Sequence, residues 1–280
     1  MRTRARYQVV RHQTEINSAL STCFERLVEV ALPRLCLLCG RPVNSQISLT
    51  KNGNISPKSF LNFAGVGEKG IIPRLSAVPP LCAECARKLA MISGERCAIC
   101  GKALLSEHGV CYLCKNVTKA CKEVFPLFRY TDSVKDLVRI YKRSEKPSLS
   151  AFWADSMCEI ILAKWPDGIV VPVPPRPEKA LTGAWDPVEA IARKIERRRI
   201  EVRRLLKRKT SIQQKRLNKE KRKVNSAQAY YLDASSALRI PAKAILLDDV
   251  YTTGATVDAC AALLLGNGCG TVSAIVIAAD

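Results

Sequence analysis

No apolar run in this chain approaches the roughly 20 residues that a membrane span requires; the runs present are strand-sized pieces such as 276–279. The opening MRTRARYQVVRHQTEINSA is basic and then polar, and it lacks the apolar stretch of a secretory leader. Thirteen cysteines are therefore expected as thiols in a reducing cytoplasm, not as the disulfide frame of a small secreted domain. Acidic residues are also scarce. The 25 Asp and Glu stand against 45 Lys and Arg, a formal charge of +20 that calls for an anionic partner: nucleic acid, acidic lipid or a phosphorylated small molecule. Biased composition is missing as well, since 48% hydrophobic and 25% charged residues over 280 positions suit one or two globular domains with a sizeable core.

The chain is organised around residues 244–256, AILLDDVYTTGAT. Four apolar residues, Ala244 to Leu247, make a short buried strand, followed by two carboxylates, then hydroxyls and a glycine that open a helix. Asp248 and Asp249 thus fall at the carboxyl end of a strand, where open α/β sheets bind ligands, and carboxylates there accept hydrogen bonds from vicinal ribose hydroxyls. Thr252, Thr253, Gly254, Ala255 and Thr256 wrap the helix N-terminus, whose N–H groups and dipole suit a phosphate. The string resembles the phosphoribosyl pyrophosphate (PRPP) motif of type I phosphoribosyltransferases. A capped surface turn accounts for one Asp and one Thr but not for the whole string. In purine-salvage relatives an aspartate stands where this chain has Thr252; threonine has no accessible pKa with which to exchange a proton with a base, so purine salvage is not expected.

Between Cys36 and Cys114 the cysteines fall in four C-x2-C pairs: Cys36 and Cys39, Cys82 and Cys85, Cys97 and Cys100, Cys111 and Cys114. Each pair aims two thiolates at one tetrahedral site, and Gly40 and Gly101 let the turns fold back, so four pairs predict two structural zinc ions. Sequential pairing is preferred to an interleaved arrangement, because Cys97 to Cys114 is a compact spacing. Residues 42–80 read as an irregular insertion inside the first site. His108 is surplus to eight thiolates, and Cys121, Cys158, Cys260 and Cys269, which lack partners at ligand spacing, are expected to be buried.

Before these pairs, Ile16, Leu20, Phe24, Leu27, Val28 and Ala31 recur at helical spacing, an amphipathic helix expected to dock on the next domain. After them the pattern alternates: helices over 133–143 and 151–164, a strand over 169–173, a helix starting at Trp185-Asp186-Pro187 with an Asp cap, strand 244–247, a helix to about Leu265, and strand 272–277. Alternation of this kind implies a parallel α/β sheet with helices on both faces. The expected division is an N-terminal extension over 1–32, a double zinc ribbon over 33–120 and an α/β domain over 121–280.

Four C-x2-C pairs followed by the Asp-Asp string resemble the ComF family of competence-associated phosphoribosyltransferase-like proteins, over roughly Leu32 to Asp280. Gln214, Leu217, Arg222, Asn225, Ala229-Tyr230 and the Val171-Pro172-Val173-Pro174 strand end match further family positions. The resemblance implies a double zinc ribbon fused to a type I phosphoribosyltransferase fold, PRPP with Mg2+ as ligand, a role in handling single-stranded DNA during natural transformation, and competence-machinery proteins as partners. The chain departs from the family's Arg-Gly-Phe-Asn-Gln run at residues 178–188, EKALTGAWDPV, which leaves Arg176, Lys179, Gln214, Arg222 and Asn225 as the candidates for pyrophosphate or lid contacts. From Arg193 to Lys223 there are sixteen Lys and Arg against Glu196, Glu201 and Glu220, a net +13 that suits several nucleic-acid phosphates, with Tyr230 and Tyr231 beyond it as faces for base stacking. Two classes of function remain open: an enzyme transferring a phosphoribosyl group to an unidentified acceptor, and a zinc-dependent nucleic-acid adaptor that keeps the PRPP pocket for binding.

Overall fold

The computed structural model describes residues 35–43, 81–89, 92, 94–144, 147–175, 185–209, 229–233 and 240–280. The helix expected over 15–32 and nearly all of the insertion lie outside these residues. The elements in chain order are α1 (Ala83–Arg87), α2 (Tyr112–Lys115), β1 (Val124–Arg129), α3 (Asp132–Ser144), α4 (Pro147–Lys164), β2 (Ile169–Pro172), α5 (Pro187–Arg197), β3 (Leu206–Arg208), β4 (Tyr230–Leu232), β5 (Lys243–Tyr251), α6 (Ala255–Leu265) and β6 (Thr271–Ala279).

Four strands form a parallel sheet in the order β1-β6-β5-β2, and β3 and β4 form a separate antiparallel hairpin. Nearly continuous apolar strands are what a sheet covered on both faces requires. In β5 the faces alternate residue by residue. Ile245 and Leu247 join Val170, Ile275 and Ile277 under α3, α4 and α5, whereas Ala244 and Leu246 join Val171, Ala274 and Val276 under α6. The parallel α/β class expected from the sequence is the observed one. α5 begins as the sequence indicates, with Asp186 as its N-cap accepting from Val188 N at 3.0 Å and Pro187 in the first turn.

The cysteine-rich segments pack on this sheet from both sides. Cys36, Leu81, Cys85, Ala86 and Leu89 belong to the buried cluster beneath α3, α4 and α5, while Cys97, Cys100, Cys111 and Cys114 belong to the cluster on the α6 side. The second segment is fastened to β1 through its backbone: Val124 N donates to Ile99 O at 2.8 Å, and Arg96 donates to Pro126 O at 2.7 Å while stacking on the Phe125 ring at 4.2 Å. Gly101 makes this approach feasible. Its φ is +68°, and a Cβ there would lie 2.1 Å from Val124 O, so any side chain would push the turn off the strand.

No helix among the described residues is long and apolar enough to cross a membrane. No disulfide joins the twelve cysteines among the described residues, and Cys121, Cys158, Cys260 and Cys269 are buried as expected.

Candidate functional site

Two four-sulfur clusters stand in the structure, Cys36 with Cys39, Cys82 and Cys85, and Cys97 with Cys100, Cys111 and Cys114, the sulfurs of each within 4.8 Å of one another. The pairing is the sequential one. In each cluster the first pair lies on a turn closed by a glycine, with Gly40 N donating to Cys36 O at 2.8 Å and Gly101 N to Cys97 O at 2.9 Å. The second pair is carried on a short helix, α1 or α2, begun directly after Cys82 or Cys111. A tetrahedron with Zn–S bonds of ~2.3 Å has edges of about 3.8 Å. The Cys39–Cys82 and Cys100–Cys111 sulfurs are each 3.6 Å apart, so the donor set fits zinc.

The protonation of the thiols agrees. Burial opposes ionisation of Cys36 and Cys97, but backbone N–H groups of the turns outweigh it and bring each thiol down to about 7, while burial drives Cys114 up to about 11. Four crowded sulfurs cannot all ionise without a cation among them. Four thiolates leave a zinc ion no open position, so a zinc held there would be structural. The second cluster is buried at all four cysteines; the first exposes Cys39. His108 is 91% exposed at its side chain and sits 3.1 Å from Glu95, not in either cluster.

The second site opens where β2 leaves β5. Pro172 pairs with Leu247 in the last register position, Val173 N gives the final bond to Leu247 O at 2.9 Å, and Pro174 and Pro175 have no N–H with which to continue. Beyond that point β5 has no strand neighbour on this flank among the described residues, and Asp248 and Asp249 stand at the opening. They lie within β5, which runs on to Tyr251 against β6, and not after it as the sequence suggested. The resulting cleft of about 330 Å³ is lined by Lys142, Val173, Pro174, Pro175, Asp186, Pro187, Val188, Arg208, Tyr230, Asp248, Asp249, Val250 and Thr256. That volume is at the small end of ligand pockets.

Of the expected phosphoribose residues, Asp248, Asp249 and Thr256 line the cleft. Thr252 and Thr253 are exposed on the loop beside it, Gly254 caps α6 with a left-handed φ of +78°, and Ala255, also exposed, is the first residue of α6. Arg176, Lys179, Gln214, Arg222 and Asn225 lie outside the described residues. Several cleft residues were not expected. Lys142 reaches Asp249 at 2.7 Å, and it is placed by its neighbour Tyr141, whose buried hydroxyl donates to Pro187 O at 2.6 Å and whose ring meets Trp185 edge-on at 4.8 Å. Arg208 lies over Tyr230 across the β3–β4 hairpin, 5.3 Å from the ring centre. Asp186 joins the two aspartates as a third carboxylate. Nothing in the sequence pattern brings 142, 208 and 248 together; only the α5 cap at Asp186 was a visible signal.

Burial, then the charge of Asp249, raises the Asp248 carboxyl to about 7. In the unfolded chain this group ionises near 4, so the stability it lends the fold is fully present below that pH and is lost as pH rises through about 7. Asp248→Asn is therefore expected to melt closer to the wild type at pH 5 and above it at pH 8; thermal melts giving the same difference at both pH values would contradict the assignment.

The basic run divides in two. Among its described residues, Arg204 pairs with Glu189 and Glu196 at 3.0 and 3.1 Å, Arg193 with Glu189 at 2.9 Å, Arg203 with Glu201 at 2.7 Å, and Arg198 with the buried Asp155. Much of the charge up to Arg208 is thus matched within the fold, and residues 210–223 lie outside the described set. Tyr230 is buried, so it offers no free face for a base; Tyr231 is 41% exposed.

No family model matches the sequence. The chain is 27% identical over 183 residues to the competence protein ComFC of Streptococcus pneumoniae, an alignment covering 64% of this chain and 78% of that protein. With two four-cysteine clusters preceding a parallel sheet, the similarity to the ComF family read from the motifs is borne out.

Proposed function

We propose that the cleft binds PRPP or ribose 5-phosphate together with Mg2+, and that the protein handles single-stranded DNA in natural transformation, in company with competence-machinery proteins. The observation that carries this reading is the meeting of Asp248, Asp249 and Thr256 in one cleft at the carboxyl end of β5, beside the N-terminus of α6. The two carboxylates take the ribose hydroxyls, and the start of α6 takes the 5-phosphate, where backbone N–H groups and the helix dipole favour an anion. Similarity to a competence protein supports the DNA-uptake role.

A second reading, transfer of the phosphoribosyl group to an acceptor, draws support from Lys142 and Arg208. They bring two cations to the cleft. Here Lys142 exchanges Asp249 for the pyrophosphate, Arg208 faces the same leaving group, and Mg2+ offsets its developing charge when bound.

Paired calorimetric titrations test the proposal, one with PRPP and Mg2+ and one with a single-stranded oligonucleotide. Oligonucleotide affinity is expected to fall with salt at a log-log slope of about 0.7 per phosphate contacted, and neutral substitutions at Lys215, Arg216, Lys219, Lys221 and Lys223 should reduce that slope. Salt-indifferent DNA binding, or a wild type silent toward millimolar PRPP, would remove the corresponding half of the proposal.

A further inference from the structure

The chain leaving the second metal cluster runs alongside the loop that opens α6. That loop has little of its own to fix it: Gly254 provides no side-chain cap, and the Thr253 hydroxyl reaches Ala255 N only at 3.4 Å. The fastening comes from outside. Lys119 Nζ donates to Thr253 O at 3.4 Å and pairs with Asp258, in the first turn of α6, at 3.5 Å; its side chain is only 16% exposed. Asp258 in turn accepts from Ala120 N at 2.8 Å and Cys121 N at 3.3 Å. Beneath the loop Tyr251 fills the space a side chain at Gly254 would need, its hydroxyl 2.2 Å from the Cβ position, and Tyr251 lies in the same buried cluster as Cys97, Cys100, Cys111 and Cys114.

These contacts have a directional effect. In a trans peptide the C=O and the following N–H point opposite ways, so holding Thr253 O on Lys119 turns the Gly254 N–H away from that side chain. Asp258 matters electrostatically, because a bare carboxylate in a first helical turn would compete with an incoming phosphate for the same positive end. Lys119 and two backbone N–H groups occupy it instead.

We propose that Lys119 is a positioning residue for the phosphate loop, coupling the second metal cluster, through Thr253 and Asp258, to recognition of a sugar 5-phosphate. The inference rests on the phosphoribose reading above. Ribose 5-phosphate and magnesium pyrophosphate are titrated separately into wild type, Lys119→Met and Lys119→Arg, with zinc content and melting temperature recorded for each. Lys119→Met is expected to weaken ribose 5-phosphate about tenfold and leave pyrophosphate unchanged, and Lys119→Arg to remain within about twofold of the wild type. Amide exchange over residues 254–257 in the ligand-free protein should be faster in Lys119→Met than in wild type. Wild-type ribose 5-phosphate affinity in Lys119→Met, an equal loss for both ligands, or unchanged exchange would overturn the coupling. A wild type that binds no ribose 5-phosphate would overturn the phosphoribose reading itself, while exchange still reads the tether.

Discussion

Cys111→Ser is expected to carry about one zinc ion per chain where the wild type carries about two, and to melt far below it. Cys111 is buried, its sulfur is 3.6 Å from that of Cys100, and its N–H donates to the Cys97 sulfur at 3.4 Å, so the change removes a ligand and disturbs the turn opposite. Structural zinc contributes about 10–16 kcal/mol of apparent binding free energy in isolated zinc-finger peptides, and a whole domain is usually stable by only about 5–15 kcal/mol. Loss of even part of that contribution should therefore reach past the ribbon, because its four cysteines share a buried cluster with Val171, Leu246, Ala274 and Val276 of the sheet. Cys39→Ser, at an exposed ligand of the first cluster, should cost less. Elemental analysis after anaerobic, chelator-free purification, with thermal melts, measures both effects. A wild type holding one zinc or none, or a Cys111→Ser protein that keeps two, would refute the assignment of eight thiolate ligands.

Asp248→Asn with Asp249→Asn is expected to lose ribose 5-phosphate binding by more than about a hundredfold, since two hydrogen bonds to charged acceptors contribute about 1.5–3 kcal/mol each. The amides keep the local acceptors: Asp249 N binds the Asp248 side chain at 2.8 Å, and Val250 N binds that of Asp249 at 2.6 Å. Lys142 loses its partner, but at 41% side-chain exposure it can turn to water. Stability near pH 8 should hold or rise, because a carboxylate that resists ionisation has gone. Calorimetry beside a melt separates the outcomes. Retained affinity would move the sugar site elsewhere; lost affinity with a collapsed melt would mean that the pair serves the fold.

The two four-cysteine clusters were legible almost entirely, because ligand chemistry imposes local spacing and closing glycines that a sequence displays. The helices α4, α5 and α6 and the strands β2, β5 and β6 were legible too, their periodicity unopposed by any local signal. β1 was not. Its sequence VFPLFR holds Pro126, which argues against a strand interior, yet among the described residues β1 is the sheet's edge and pairs only with β6. The β3–β4 hairpin was hidden differently: Leu206 to Arg208 reads as part of a basic stripe, and its strand character comes from pairing with residues 230–232, across 21 intervening positions. Cleft residues Lys142 and Arg208 were invisible for the same reason, since tertiary placement alone gives them a role.

The position of β6 has a consequence for how the molecule is assembled. It is the last strand in chain order, yet it lies between β1 and β5, so that Val124 pairs with Ala274 across 150 positions of sequence. Until it arrives, β1 and β5 have no contact through the sheet, and two apolar strands wait with open edges, a state of slow closure and exposure to aggregation. The four-cysteine turns emerge earlier, and the second cluster, between Cys97 and Cys114, needs only local chain to form. A metal-loaded second cluster would hold Val124 through Ile99 before β6 is available to pair with it. Metal binding there would bear on the order of folding as well as on its end point, giving the last strand a formed edge against which to insert.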